Sequence, residues 1–203
     1  DTARVKLLNI IAFKNYGVNQ SQLKSFAEEA KTIAHEIGYL KGEARSWYLI
    51  GLFYLSKGNL DHADSNIKVS LEIYQKDNNL MGVSTCYDLM GAINNFKEEF
   101  DKSIAYYNKA LKIALDKGDQ LKVGGFVTNI GGTYFRKGDF DKAVHLYKRA
   151  IEIYDSLKAK KKAVLFVFDC LRYDHWLLLE SLLNEQFYCS ASLYHAVLPT
   201  ATQ

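Results

Sequence analysis

The chain holds one proline among 203 residues, Pro199, so no proline interrupts a helix over the first 198 positions. It has three cysteines, Cys86, Cys170 and Cys189, too few and too scattered for a disulfide framework. No run of 18 apolar residues occurs, which excludes a membrane-spanning helix from this sequence. Charge of one sign is also lacking. The formal net charge is +3, too small to argue for a nucleic-acid partner. No signal peptide is visible, but the chain opens on Asp1 without a methionine and reads as a processed or excised piece. A content of 48% hydrophobic residues excludes a disordered chain and is enough to bury a core.

What is present is a repeat. Gly51, Gly91 and Gly131 recur at one fixed interval, each at the centre of the same pattern. The three copies run from Trp47 to Tyr74, from Tyr87 to Ala114 and from Val127 to Tyr154. That period, about 40 residues, falls in the range of roughly 20 to 50 that marks stacked units unable to bury their apolar faces alone. Within each half, apolar residues recur at three and four spacing, so both halves are amphipathic helices. The glycines, with Ala63, Ser103 and Ala143, lack bulk where two helices must approach. Lys57-Gly58-Asn59 and Lys137-Gly138-Asp139 mark turns, since glycine tolerates a left-handed backbone. Glu98 replaces that glycine in the second copy, which predicts a strained or differently shaped turn. Asp61, Asp101 and Asp141 stand where the second helix of each pair begins, a position that suits an N-cap. Cys86 falls within a helix and reads as a small core residue.

The copies resemble the tetratricopeptide-repeat (TPR) family. The matching places hold Trp47, Ile50, Gly51, Tyr54, Ala63, Ile67 and Ser70 in the first copy. The second has Tyr87, Met90, Gly91, Asn94, Ser103, Tyr107 and Ala110, with Asn94 where a tyrosine is usual. The third has Val127, Ile130, Gly131, Tyr134, Ala143, Tyr147 and Ala150. A degenerate fourth copy upstream, one residue short, has Leu8, Ile11, Ala12, Ala27 and Ala30. The expected fold is therefore an all-α TPR superhelix of about four helix pairs over residues 1–160, with repeats at about 1–41, 42–80, 81–120 and 121–160. The family's usual period is shorter, about 34 residues. The six extra lengthen helices by up to roughly 9 Å and are expected at the junctions around Asp77-Asn78-Asn79 and Lys117-Gly118-Asp119. Such long-period repeats resemble those of bacterial signalling proteins, sensor regions of histidine kinases among them.

The resemblance implies a scaffold whose concave groove takes a protein or peptide partner, with no cofactor. Carried over from the family, the groove positions are Asn9, Phe13, Tyr48, Leu52, Leu55, Asp88, Ala92, Asn95, Thr128, Asn129, Gly132 and Arg136. Phe13, Tyr48 and Leu52 offer apolar anchors; Asn95, Asn129 and Arg136 offer hydrogen bonds, and an amide can both donate to and accept from a peptide backbone. Phe13 stands where a chaperone-tail clamp has asparagine, which argues against that ligand.

The last forty residues read differently. Lys158, Lys160, Lys161 and Lys162 form a solvated junction, and the repeat then stops. Ala163 to Asp169 is a continuous apolar run ending in an acid, the pattern of a buried parallel strand. A helical stretch with Trp176, Leu179 and Leu183 on one face follows, then an extended one, so residues 161–203 are expected to form a short α/β fragment, strand-helix-strand. VLFVFDCLRYDHW and LPTATQ resemble the start of a PglZ-type domain of the alkaline phosphatase superfamily. That resemblance implies a metal ligand at Asp169 and a nucleophile at Thr202, with Thr200 as its neighbour. Zinc would be held only by a complete domain, and its other ligands would come after Gln203. Cys170, His175, Cys189 and His195 form a looser, finger-like zinc set. The alternative function is thus the N-terminal part of a metal-dependent phosphoesterase regulated by its repeats. The repeats suit a periplasmic sensor or a cytoplasmic adaptor in a bacterium, and the PglZ resemblance favours the cytoplasm.

Overall fold

The computed structural model describes residues 1–157. The chain divides into two units, Asp1–Val164 and Leu165–Gln203, and every described residue lies in the first. The α/β fragment expected at 161–203 falls outside the described residues.

Among the described residues there are eight helices and no strand: α1 (Thr2–Lys14), α2 (Gln20–Glu36), α3 (Leu40–Ser56), α4 (Leu60–Lys76), α5 (Leu80–Phe96), α6 (Phe100–Asp116), α7 (Gln120–Lys137) and α8 (Phe140–Ser156). From Gln20 onward the helix starts are evenly spaced, at Leu40, Leu60, Leu80, Phe100, Gln120 and Phe140, so each repeat is two equal halves. Connectors between these helices are two or three residues long, within a repeat and between repeats alike. The expectation that extra length collects at the junctions is corrected: it lies in the helices, which run to 17 or 18 residues from α2 onward. A 17-residue helix is about 25 Å long, which gives each pair a longer seam to bury.

One turn geometry explains the connectors. A left-handed residue recurs at Gly38, Gly58, Asn78, Glu98, Gly118 and Gly138, with the same even spacing as the helices. After it the chain folds back and caps the helix that has just ended. Gly58 N donates to Leu55 O and Asn59 N to Tyr54 O, each at 2.9 Å, the paired bonds of a Schellman motif. Glu98 adopts the same conformation at φ 61°, and Glu99 N still reaches Asn94 O at 2.9 Å. The turn therefore keeps its shape and carries the strain of a side chain in left-handed space.

Helix starts are fixed by the residue after the turn. Asn19, Asn59, Asn79, Asp119 and Asp139 each accept a bond from the backbone N–H three residues on. These are the N-caps. Asp61, Asp101 and Asp141 stand two residues further, inside the first turn, where they favour the helix dipole instead. Tyr39 and Glu99 make no side-chain cap, so α3 and α6 start without one.

Odd and even helices form two layers. Each even helix buries a single stripe, as in α4 with Ala63, Ile67, Ser70 and Tyr74. From α3 onward, odd helices lie between two even neighbours and bury two sides; α5 buries nine residues. Glycine makes the closest seams possible. A Cβ on Gly91 would lie 2.6 Å from the Tyr107 ring of its own pair, and one on Gly82 would lie 2.3 Å from Tyr74 of the preceding pair. Besides these odd–even seams, α1 touches α3 and α3 touches α5, while no two even helices make comparable contact among the described residues. Closer approach on the odd side from α1 to α5 means that this part of the array curves, with the odd helices inside.

The first pair departs from this regularity. α1 has 13 residues and is followed by a longer turn, Asn15–Asn19, with Gly17 left-handed. Ala12, Ala27 and Ala30 are fully buried at the degenerate positions, where small side chains hold α1 and α2 together.

Candidate partner-binding face

The residues expected to line a groove all lie on odd helices, but they divide by burial. Asn9, Tyr48 and Leu52 are buried at 6%, 9% and 6% exposure. Asn9 is spent on packing: its Nδ2 donates to Gly42 O at 3.1 Å, and its Oδ1 accepts from Ser46 Oγ at 3.0 Å, tying α1 to α3. Tyr48 presents its ring to the core, and burial pushes its hydroxyl pKa up. Leu52 belongs to the same cluster. These three support the surface from behind.

Phe13 is 48% exposed. The Arg45 guanidinium lies over it at 5.0 Å from the ring centroid, and over Tyr48 at 4.9 Å. At the other end of the layer, Arg136 repeats the arrangement, 5.8 Å from the Phe96 ring and 5.9 Å from Phe100. Its Nη1 donates to the Asn95 backbone carbonyl at 2.6 Å, which ties α7 to α5. Asn95 Oδ1 is buried with no hydrogen-bond partner among the described residues. Leu55, Ala92 and Gly132 are half-buried, and the Thr128 hydroxyl donates to Gly124 O within its own helix at 2.9 Å.

Between the two arginines lies Asp88, half-buried and accepting a bond from Asn129 Nδ2 at 2.9 Å. Burial pushes its carboxyl up to about 6; the Asn129 bond and the Lys122 charge oppose that rise. The site thus holds one poorly solvated carboxylate flanked by cations and amides.

Three contributors escape a residue-by-residue carry-over from the family: Arg45, Phe96 and Lys122. Their signals are positional. Arg45 stands three residues before Tyr48, one turn away on the same helix face. Phe96 occupies in α5 the place that Arg136 holds in α7, one repeat later. Asp169, Thr202 and the set Cys170, His175, Cys189 and His195 lie outside the described residues. Among the described residues no group of three or more His, Cys, Asp or Glu could hold a metal ion. No described helix is long and apolar enough to cross a membrane. Cys86 is fully buried with Ser70 Oγ 3.3 Å from its sulfur, and burial pushes its thiol up to about 11, so it serves the core.

Two ion pairs tie the ends of odd helices to even helices. Lys97 meets Asp61 at 2.6 Å across a repeat junction, and Lys137 meets Asp101 in the same way one repeat later. The first of these pairs borders a polar hollow of about 530 Å³ formed by Lys57, Gly58, Asn59 and Leu60.

Three stretches, 44–77, 84–117 and 126–157, match the family model for the tetratricopeptide repeat. A protein of Guillardia theta, the uncharacterized protein ycf37, is 27% identical over 121 residues, 60% of this chain. The chain spans 64% of that relative's length. Among solved structures, BtubC (BKLC) from P. vanneervenii superposes with a TM-score of 0.65 at 19% identity, over 83% of this chain and 70% of that one. Aspartyl phosphate phosphatase F from Bacillus subtilis gives 0.70 at 12% identity, over 77% of this chain and 42% of that one. The TPR domain of Arabidopsis FLU gives 0.53 at 20% identity, over 58% and 98%. At such identities the likeness is one of fold. Three matched repeats, with tyrosine or isoleucine seated on each central glycine, make a protein-interaction scaffold, and the chain belongs to the tetratricopeptide-repeat family.

Proposed function

We propose that the face of the odd helices is a groove for a peptide or protein partner, and that the array recruits that partner in bacterial signal transduction. The observation that carries this reading is the set of arginines without carboxylates and of exposed aromatic rings on the odd face. Lys24, Lys68, Lys102 and Lys142 of the even helices pair with carboxylates of their own helix or its N-cap at 2.6–3.7 Å, and Arg4, Lys97 and Lys137, in or at the end of odd helices, reach even-helix carboxylates. On the odd face Arg45 and Arg136 have no carboxylate partner among the described residues, and Phe13 and Phe96 stay 48% and 53% exposed. Aromatic rings and arginines in one concave strip are the groups that dominate protein interfaces. The signalling assignment rests on the long period, the feature in which this chain resembles bacterial signalling repeats. No cofactor is needed for such recruitment.

The test is affinity capture from a native lysate, then hydrogen-exchange mapping of the captured complex. Protection concentrated on α3, α5 and α7 is expected. Protection confined to α4, α6 and α8 would place the partner on the other layer and overturn the reading.

A further inference from the structure

Charge is divided unequally between the layers. The four odd helices hold eight Lys and Arg against two Asp and Glu; the four even helices hold ten against eleven. Two of the eight are paired with even-helix carboxylates, Arg4 with Glu29 and Lys137 with Asp101, which leaves six against two in the odd layer of a chain that is nearly neutral as a whole. Of the two carboxylates in the odd layer, Glu43 is turned to His35 at 3.1 Å. Only Asp88 is left on the inner face.

The two inner guanidiniums are also held in a particular way. Arg45 lies against Phe13 and Tyr48, and Arg136 against Phe96 and Phe100. Stacking on rings fixes a planar cation without using its N–H donors. A guanidinium has five donors, and Arg136 spends one on Asn95 O, whereas Arg45 makes no hydrogen bond among the described residues. Two forks with most of their donors free, each fixed in position, match planar carboxylates.

We infer that the partner is an acidic peptide segment, received by the odd-helix groove with one carboxylate on Arg45 and another on Arg136. This rests on the reading of the odd face as the binding groove and specifies what that groove accepts. Asp88 sets the spacing. Between the two arginines a third carboxylate would meet the half-buried Asp88, so the segment places neutral residues there and acidic ones on either side. Asn129 and Thr128 beside Asp88 suit a backbone in passing. Recognition is of side chains within a segment and does not need a chain end.

The probe is a fluorescein-labelled twelve-residue peptide with two pairs of Glu separated by Gly and Ser, its C-terminus amidated. Anisotropy is read with the full chain at low salt. The expected result is saturable binding, weakened about tenfold or more when the glutamates become glutamines or when Arg45→Gln and Arg136→Gln are combined. Raising the ionic strength weakens it further. Arg45→Lys with Arg136→Lys keeps the charge but not the fork and falls between. Circular-dichroism melts of each variant confirm that the array remains folded. Equal binding of the glutamine peptide, preference for a lysine counterpart, or no binding at millimolar peptide each overturns the inference. The captured partner separates this failure from that of the groove itself. Protection still on α3, α5 and α7 leaves the groove standing with a different ligand, and protection on the even helices removes both.

Discussion

From α2 onward, odd and even helices share a length and a turn, yet they answer to different constraints. An even helix has one buried stripe and one solvent face, so its sequence alternates cleanly: Ala143, Tyr147 and Ala150 lie inside, with Asp141, Lys142, His145 and Arg149 outside. An odd helix is buried on two sides and exposes a narrow strip. α5 carries a single charged residue, Asp88, on that strip. The difference teaches where function can reside. In the even layer an exposed residue is free to vary or to pair with a neighbour. In the odd layer, little surface is left after packing, and what remains is aromatic, basic and amide-bearing.

The strongest way to break the comparison is to remove a side chain by which the even layer holds the odd. Tyr107 is 4% exposed, and its ring covers Gly91. Tyr107→Ala leaves a cavity between α5 and α6 that glycine cannot fill. The expected cost is about 3–5 kcal/mol in urea unfolding, the range for deleting a large core aromatic. Lys112→Ala on the exposed face of the same helix should move stability by less than about 0.5 kcal/mol. A cost for Tyr107→Ala close to that of Lys112→Ala would mean that the two faces of an even helix do not differ as described.

Much of this was legible in the sequence, because the pattern of an even helix is a direct record of its one buried stripe. The central glycines and the aromatic that follows two of them on the next helix, Tyr107 and Tyr147, are enough to identify the pairing of helices. The odd layer was less legible for a physical reason. With two sides buried, its apolar residues lose their simple period, and Tyr48 and Leu52 sit at groove positions yet turn inward. Asn9 is polar and still inside, since Gly42 and Ser46 satisfy its amide. Pairwise features such as the Arg45 and Arg136 stacks join residues far apart in the chain, and one sequence holds no signal for them beyond the repeat register. The equal halves of each repeat were concealed because Asn78 and Glu98 occupy turn sites that glycine fills elsewhere.

A smaller effect sharpens the comparison through Asp88, the lone acid of the inner strip. Its carboxyl is raised from an ordinary value of 3.8 to about 6, with burial as the cause. A raised carboxyl pKa means that the folded state favours the protonated form. The cost of ionising it is absent below the unfolded value, grows between about pH 4 and 6, and is fully present above. Asp88→Asn keeps an oxygen to accept from Asn129 and removes the charge. Its stability relative to the parent should be near zero at pH 4 and favourable by about 1–3 kcal/mol at pH 7. A difference that does not change with pH would show that Asp88 is no more desolvated than an even-layer acid.

The smallest effect concerns what the two layers share, the turn. Gly38, Gly58, Gly118 and Gly138 take the left-handed conformation without strain, whereas Glu98 takes it with a Cβ that crowds its own backbone. Glu98→Gly relieves about 1–2 kcal/mol of that crowding but frees the unfolded backbone, which returns roughly 0.5–1 kcal/mol. The net gain expected is about 0.5–1 kcal/mol in urea unfolding. Asn78→Gly provides the internal control. Asparagine visits left-handed space more readily than glutamate, so its replacement should gain less. Equal gains at both sites would mean that the α5–α6 turn is no more strained than the α4–α5 turn. A loss at Glu98 would mean that its side chain holds the turn through a contact worth more than the strain.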